Sequence, residues 1–194
     1  GTLAILDSQS QIRTHIGATG TRRIELLEGR AQFAVAKNPS RKFTVQVGAA
    51  VVTALGTRFD VYRHPEGLEV YLIEGRLRVE PPKGSAGRTT SDERTVEMVS
   101  GDRIAIGKGG WHLTNEVAEP EIEWTKGQLT FDDAPIDLIV AELNRYTQDK
   151  ITLVEDLRNP PRLSAVIRTS DPLMFLQAVD AMGIGHSRQT ASGH

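Results

Sequence analysis

Four times in its first half the chain interrupts an alternating apolar–polar run with a glycine. The sites are Leu27-Glu28-Gly29-Arg30, Leu55-Gly56-Thr57-Arg58, Ile73-Glu74-Gly75-Arg76 and Val99-Ser100-Gly101-Asp102. Glycine inside strand-like sequence marks a sharp bend or bulge that needs backbone angles other residues resist. The spacings of 27, 19 and 26 residues are too irregular for a strict solenoid. They fit a stacked or sandwiched β architecture in which each glycine lets the chain turn a corner.

The runs between these glycines are short, β-branched and of period two, which is the signature of half-buried strands. They are Arg23–Leu26, Ala31–Val35, Lys42–Val47, Val51–Leu55, Phe59–Tyr62, Leu68–Leu72, Leu77–Val79, Thr95–Val99 and Arg103–Ile106. No window before residue 117 supports a helix of three turns. Residues 1–117 therefore read as a mainly β domain, sandwich or solenoid-like, with residues 81–92 a polar loop by composition.

At Ala118–Glu123 the character changes, and residues 118–127 read as an acidic, proline-containing linker. Beyond it, strand and helix patterns alternate. Gln128–Phe131 is a strand, and Asp133-Ala134-Pro135 is a helix start with an acidic cap candidate. Ile136, Ile139, Val140, Leu143 and Tyr146 then follow at helical spacing to about residue 147. Ile151–Val154 and Leu163–Ile167 read as strands and Leu173–Met182 as a second helix ending at Gly183. Ile184–Arg188 closes as a strand. Residues 128–190 thus read as a small α/β domain of two βαβ-type units.

Composition narrows the function. The 194 residues carry 23 basic and 25 acidic side chains, a net charge of −2, which argues against a nucleic-acid binder. The longest charge-free stretch, Phe43–Thr57, is broken by Gln46, Gly48 and two threonines, so no segment has the ~20 apolar residues of a membrane helix. With no cysteine, thiol catalysis and thiolate metal sites are out. His15, His64, His112, His186 and His194 are dispersed without the spacing of a helical metal site and read as surface residues. Asp132 and Asp133 sit at a helix start, where capping is the better reading than acid–base chemistry. Gly107-Lys108-Gly109-Gly110 lacks P-loop context and reads as a hairpin turn. The expectation is a protein without catalytic residues, metal or cofactor.

Several segments together resemble the FecR family of periplasmic sensors. Arg22–Val35 (RRIELLEGRAQFAV), Lys42–Val45 (KFTV), Leu55–Val61 (LGTRFDV) and Val70–Leu77 (VYLIEGRL) are similar to its successive blocks, in order. Lys42 stands where the family usually has proline. Trp124–Phe131 (WTKGQLTF), Pro135-Ile136 and Glu142–Tyr146 (ELNRY) resemble its C-terminal block. The family's motif positions fall here on Gly29, Phe33, Gly56, Thr57, Phe59, Gly75, Trp124, Gly127, Arg145 and Tyr146. Trp124 is expected to pack between the domains, Tyr146 to end the apolar helix face and Arg145 to pair with an acidic residue of its own domain.

The resemblance implies an inner-membrane regulator of an extracytoplasmic-function sigma factor, an anti-sigma factor. Its periplasmic region would sense the signalling domain of a TonB-dependent outer-membrane receptor, many of which carry iron-siderophores. The C-terminal domain would be STN-like. The chain would be the periplasmic region alone, with a transmembrane helix and a cytoplasmic, sigma-binding segment upstream of Gly1. An open sheet edge can accept a partner strand through main-chain hydrogen bonds. The candidates are Ile151 and Leu153 on one strand and Leu163, Ala165 and Ile167 on the other. Arg162 and Arg168 would supply electrostatic steering. The competing reading is a periplasmic carbohydrate- or envelope-binding β module, disfavoured because it needs exposed aromatics and the chain has only 10, several in core positions.

Overall fold

A computed structural model of the chain describes residues 2–17, 22–38, 40–84, 95–115, 120–154, 159–171 and 173–185. The chain forms two compact units, Gly1–Glu119 and Pro120–His194.

The first unit is one curled sheet that folds over itself into two layers. Its strands are β1 (Leu3–Leu6), β2 (Gln11–Ile16), β3 (Arg22–Ala34), β4 (Phe43–Val47), β5 (Ala50–Ala54) and β6 (Arg58–His64). They continue as β7 (Gly67–Glu74), β8 (Arg76–Glu80), β9 (Val96–Val99), β10 (Asp102–Gly107) and β11 (Gly110–Asn115). They run in the order β11-β10-β7-β6-β3-β4-β5-β8-β9, with β1 and β2 also paired to β3. One layer holds β1, the second half of β3, β6, β7, β10 and β11. The other holds β2, the first half of β3, β4, β5, β8 and β9.

The four repeat glycines are four of the points where the chain passes from one layer to the other. Gly29 divides β3, Gly56 joins β5 to β6, Gly75 joins β7 to β8, and Gly101 joins β9 to β10. At Gly29 the inward set shifts from Ile24 and Leu26 to Ala31 and Phe33, from even to odd numbers. A single extra residue at the bend thereby keeps the apolar face turned toward the core in both layers. The runs Arg23–Leu26 and Ala31–Val35, expected as two strands, are consequently parts of one bent strand. Gly29 has φ +79°, and a Cβ there would lie 2.3 Å from Ser10 Oγ. No side chain fits at that corner.

Both layers fill one core. Phe33 lies 5.6 Å from Phe43 and 5.3 Å from Phe59, centroid to centroid, and none of the three is more than marginally exposed. Each such buried side chain contributes about 1.5–3 kcal/mol of transfer free energy. β1, β2 and β11 lay outside the predicted runs. β1 and β2 show mostly exposed or half-buried residues, so their sequences lack a clear inward set.

The second unit comprises a 3-10 helix (Pro120–Lys126), β12 (Gln128–Pro135), α1 (Ile136–Leu143), β13 (Arg162–Arg168) and α2 (Leu173–Ala181). The expected linker 118–127 is, from Pro120 onward, part of this unit. Trp124 is buried in the unit's own core with Leu129, Phe131, Ile139 and Leu143. The βαβ expectation is corrected, because β12 and β13 pair antiparallel as a two-stranded sheet.

Ile151–Val154 is not a strand. The Asn144 side chain takes both backbone groups of Ile151, accepting from its N–H and donating to its carbonyl, each at 2.8 Å. Asp133 does not cap α1 either. Pro135 occupies that position without a side-chain cap, and Asp133 sits in a bulge of β12 at φ +42°. Gly183 follows α2 at φ +67°, where Ile184 N–H donates to the Val179 carbonyl. The last expected strand, Ile184–Arg188, is not one at Ile184-Gly185, and its remaining residues, with His186 and His194, lie outside the described residues.

Candidate partner-binding surface

Of the partner-facing candidates, the structure brings five onto β13. Along that strand residues alternate: Leu163 and Ala165 half-buried, Ile167 buried, and Arg162, Ser164, Val166 and Arg168 exposed. Ile167 is a core residue, so its side chain is closed to a partner. Among the described residues β13 pairs with β12 alone, which leaves its second flank as an edge. An apolar residue missed by the sequence reading, Val166, stands 64% exposed on the strand's outer face. Its even-numbered position beside Ile167 was the available signal.

Ile151 and Leu153 do not belong to this edge. Ile151 packs against the second core and its backbone is satisfied by Asn144, while Leu153 and Val154 are exposed in irregular chain.

The β12 bulge determines what Arg162 does. Its Nε donates to Asp133 Oδ2 at 2.9 Å, and its Nη2 donates to the Asp133 carbonyl. Ser164 Oγ accepts from Asp133 N–H at 2.9 Å and donates to Asp132 Oδ1 at 3.0 Å. Arg162 is thus engaged in holding the bulge, whereas Arg168 is exposed at the far end of the strand. The β12–β13 pair is closed at that end by Gly127, whose carbonyl accepts from Thr169 N–H at 3.0 Å. Arg145 pairs with Glu142 at 3.0 Å within its own unit, and Tyr146 packs against the core.

In the first unit the motif residues are structural. Phe33 and Phe59 are fully buried, and Gly56, Thr57 and Gly75 form one corner in which Thr57 carbonyl accepts from Val35 N–H at 2.9 Å. A Cβ on Gly75 would meet Thr57 Cγ2 at 2.9 Å, so the two corners are mutually packed. An open recess of about 440 Å³ lies at the tips of the β6–β7 and β10–β11 hairpins, with His64, Glu69, Trp111 and His112 on its walls. Among the described residues no group of three or more histidine, aspartate or glutamate side chains is placed to hold a metal ion. His64 faces Glu69 at 3.8 Å, and His15 and His112 are exposed. No helix among the described residues is long and apolar enough to cross a membrane.

The architecture is that of a two-layered, glycine-cornered β unit followed by a small unit of two antiparallel strands with helices. A family profile described as FecR protein matches residues 1–78. The matched segment spans 78 of the 194 residues. No curated protein matches the chain. Two solved structures share its fold, both of a candidate anti-sigma factor from Parabacteroides distasonis ATCC 8503. The first, at 1.65 Å, is 22% identical with a TM-score of 0.81, covering 99% of this chain and 88% of its own. The second, at 2.50 Å, is 23% identical with a TM-score of 0.80, covering 99% and 87%.

Proposed function

We propose that the chain is the signal-receiving region of a transmembrane sigma-factor regulator, an anti-sigma factor. The observation that carries this reading is the FecR-family segment over residues 1–78. The fold shared with a candidate anti-sigma factor supports it over nearly the whole chain. In this reading the role is non-catalytic and the location is the periplasm. The first unit is the FecR-type domain and the unit from Pro120 onward a small STN-like domain.

The partner outside the inner membrane is the signalling domain of a TonB-dependent outer-membrane receptor, in iron-siderophore uptake regulation. The sigma factor is reached through a cytoplasmic segment that this sequence does not include. The free flank of β13, with Val166 on its outer face and Arg168 at its end, is the docking edge for a receptor strand. Main-chain hydrogen bonds supply affinity at such an edge and the alternating side chains supply selectivity.

A pull-down with the chain as bait against the signalling domains of outer-membrane receptors from the same genome tests the reading. It predicts selective capture of one such domain. Capture of none, with a folded bait that instead retains envelope polysaccharide, would favour the binding-module alternative.

A further inference from the structure

The strand registers bring one set of termini to a single end of the first unit. In one layer Arg22 lies opposite Phe43, Phe43 opposite Ala54, Ala54 opposite Leu77, and Arg76 opposite Val99. In the other layer Leu3 lies opposite Ala34, Ala34 opposite Arg58, and Arg58 opposite Glu74. The Gly56, Gly75 and Gly101 corners join the two layers at this same end. The loop after β3 is fastened along it: Asn38 N–H donates to the Leu55 carbonyl, and the Gly56 Cβ position lies 2.8 Å from Lys37 Cα. Arg22 donates to Thr2 Oγ1 and to the Arg41 carbonyl, tying three further segments together.

The charge at this end is one-sided. Arg23, Lys37, Arg41, Lys42, Arg58 and Arg76 are all exposed here, against one exposed carboxylate among the described residues, Glu74. The whole chain carries a charge of −2, so this is a local basic pole and not a consequence of composition. Between the cations stand three aliphatic side chains, Leu3 at 60%, Leu55 at 47% and Val99 at 52% exposure. Leu55 and Val99 are corner residues, displayed at the turns.

We propose that this end docks on a bilayer surface rich in anionic headgroups. The cations come from five separate segments and are gathered on no single strand or turn. Diffuse positive charge with scattered aliphatic tips suits a fluid anionic surface, where the charges sit at headgroup level and the tips enter the interface. The inference rests on the registers and exposures alone and stands apart from the receptor-docking reading of β13.

Vesicle co-flotation of the whole chain tests it, comparing phosphatidylcholine vesicles with vesicles containing phosphatidylglycerol. The chain is expected to float with the anionic vesicles alone and to be released as salt rises. The triple variant Lys42→Glu, Arg58→Glu, Arg76→Glu is expected to lose about a hundredfold in partitioning. Lys83→Glu with Lys108→Glu, at the opposite end, is expected to bind like the parent. Thermal melts verify that both variants fold, and Leu55→Ser with Val99→Ser gives a charge-preserving variant expected to bind more weakly. Equal flotation with neutral and anionic vesicles, or unchanged binding by the folded triple variant, overturns the proposal. Absence of vesicle binding does so too, and would point to an acidic protein face as what this end fits.

Discussion

Arg30 Nε donates to Asp60 Oδ1 at 2.7 Å, and the Asp60 side chain has no solvent exposure. The pair lies on the face of the sheet that points away from the Phe33–Phe59 core, since Ala31, Phe33, Phe59 and Val61 take the inward positions. Arg30 also lies over the Tyr62 ring at 5.5 Å. Burial by itself would lower the Arg30 pKa. The Asp60 carboxylate outweighs it, with smaller help from Asp7 and Tyr71, and the guanidinium is held above its ordinary value. The Arg30 guanidinium therefore stays charged beside the buried Asp60 side chain.

Asp60→Ala is expected to be among the most destabilising single changes in the first unit. It strands the Arg30 charge in a buried position, which costs about 3–5 kcal/mol. Urea denaturation followed by tryptophan fluorescence reads this directly. A loss below about 1 kcal/mol would show that the pair behaves as a surface ion pair.

Gly29→Ala and Gly48→Ala separate close packing from backbone preference. Both glycines have positive φ, but a Cβ at Gly48 meets nothing within 4 Å, whereas at Gly29 it meets Ser10 Oγ at 2.3 Å. Gly48→Ala is expected to cost about 1–2 kcal/mol, the price of the left-handed conformation alone. Gly29→Ala must also displace the β1–β2 turn, whose Ser10 Oγ accepts from Arg30 N–H at 2.8 Å. It is expected to lose clearly more, and equal losses in denaturant midpoint would contradict the corner account.

Thr57→Val is expected to be neutral or stabilising by up to about 1 kcal/mol, against the usual direction of core changes. Thr57 is 5% exposed and its hydroxyl has no hydrogen-bond partner among the described residues, so a methyl group removes an unmet polar atom. A melting temperature several degrees lower would contradict this.

The first unit was legible because its corners and its strands leave different marks. Gly29, Gly56, Gly75 and Gly101 each interrupt a period-two run, and the chain changes layer at each of them. That Gly29 lies within one strand was not legible, since a bend inside a strand and a break between two strands look alike in one dimension. The second unit was misread where short-range signals had two structural solutions. Asp133-Ala134-Pro135 has the composition of a capped helix start, yet Arg162 and Ser164, about thirty residues away, hold the aspartate in a bulge. Ile151–Val154 has strand composition, but the Asn144 amide occupies the Ile151 backbone. The first outcome depends on partners far along the chain and the second on one nearby amide side chain, and periodicity sees neither. The proposed docking edge was legible only in part: Leu163–Ile167 was recognisable as a strand, but its alternation places Leu163, Ala165 and Ile167 on the inward face and Val166 on the outer one.

Asn144→Ala tests that second misreading. Losing both bonds to Ile151 is expected to cost about 1–3 kcal/mol. It is also expected to speed hydrogen exchange at the Ile151 amide well beyond that of α1. Unchanged exchange there would mean that residues 151–154 are held by something other than Asn144.

The proposal that the chain receives a receptor's signal through the flank of β13 is open to a direct test by calorimetric titration. The cognate receptor signalling domain is titrated into the chain and into a variant carrying Val166→Asp and Arg168→Glu. Both positions are exposed and lie outside the core, so the fold is expected to survive, as circular dichroism would verify. One-to-one binding is expected for the parent chain and at least a tenfold loss, about 1.4 kcal/mol, for the variant. Undiminished binding by the folded variant would contradict the location of the site, and absence of binding by the parent to any receptor domain would contradict the function itself.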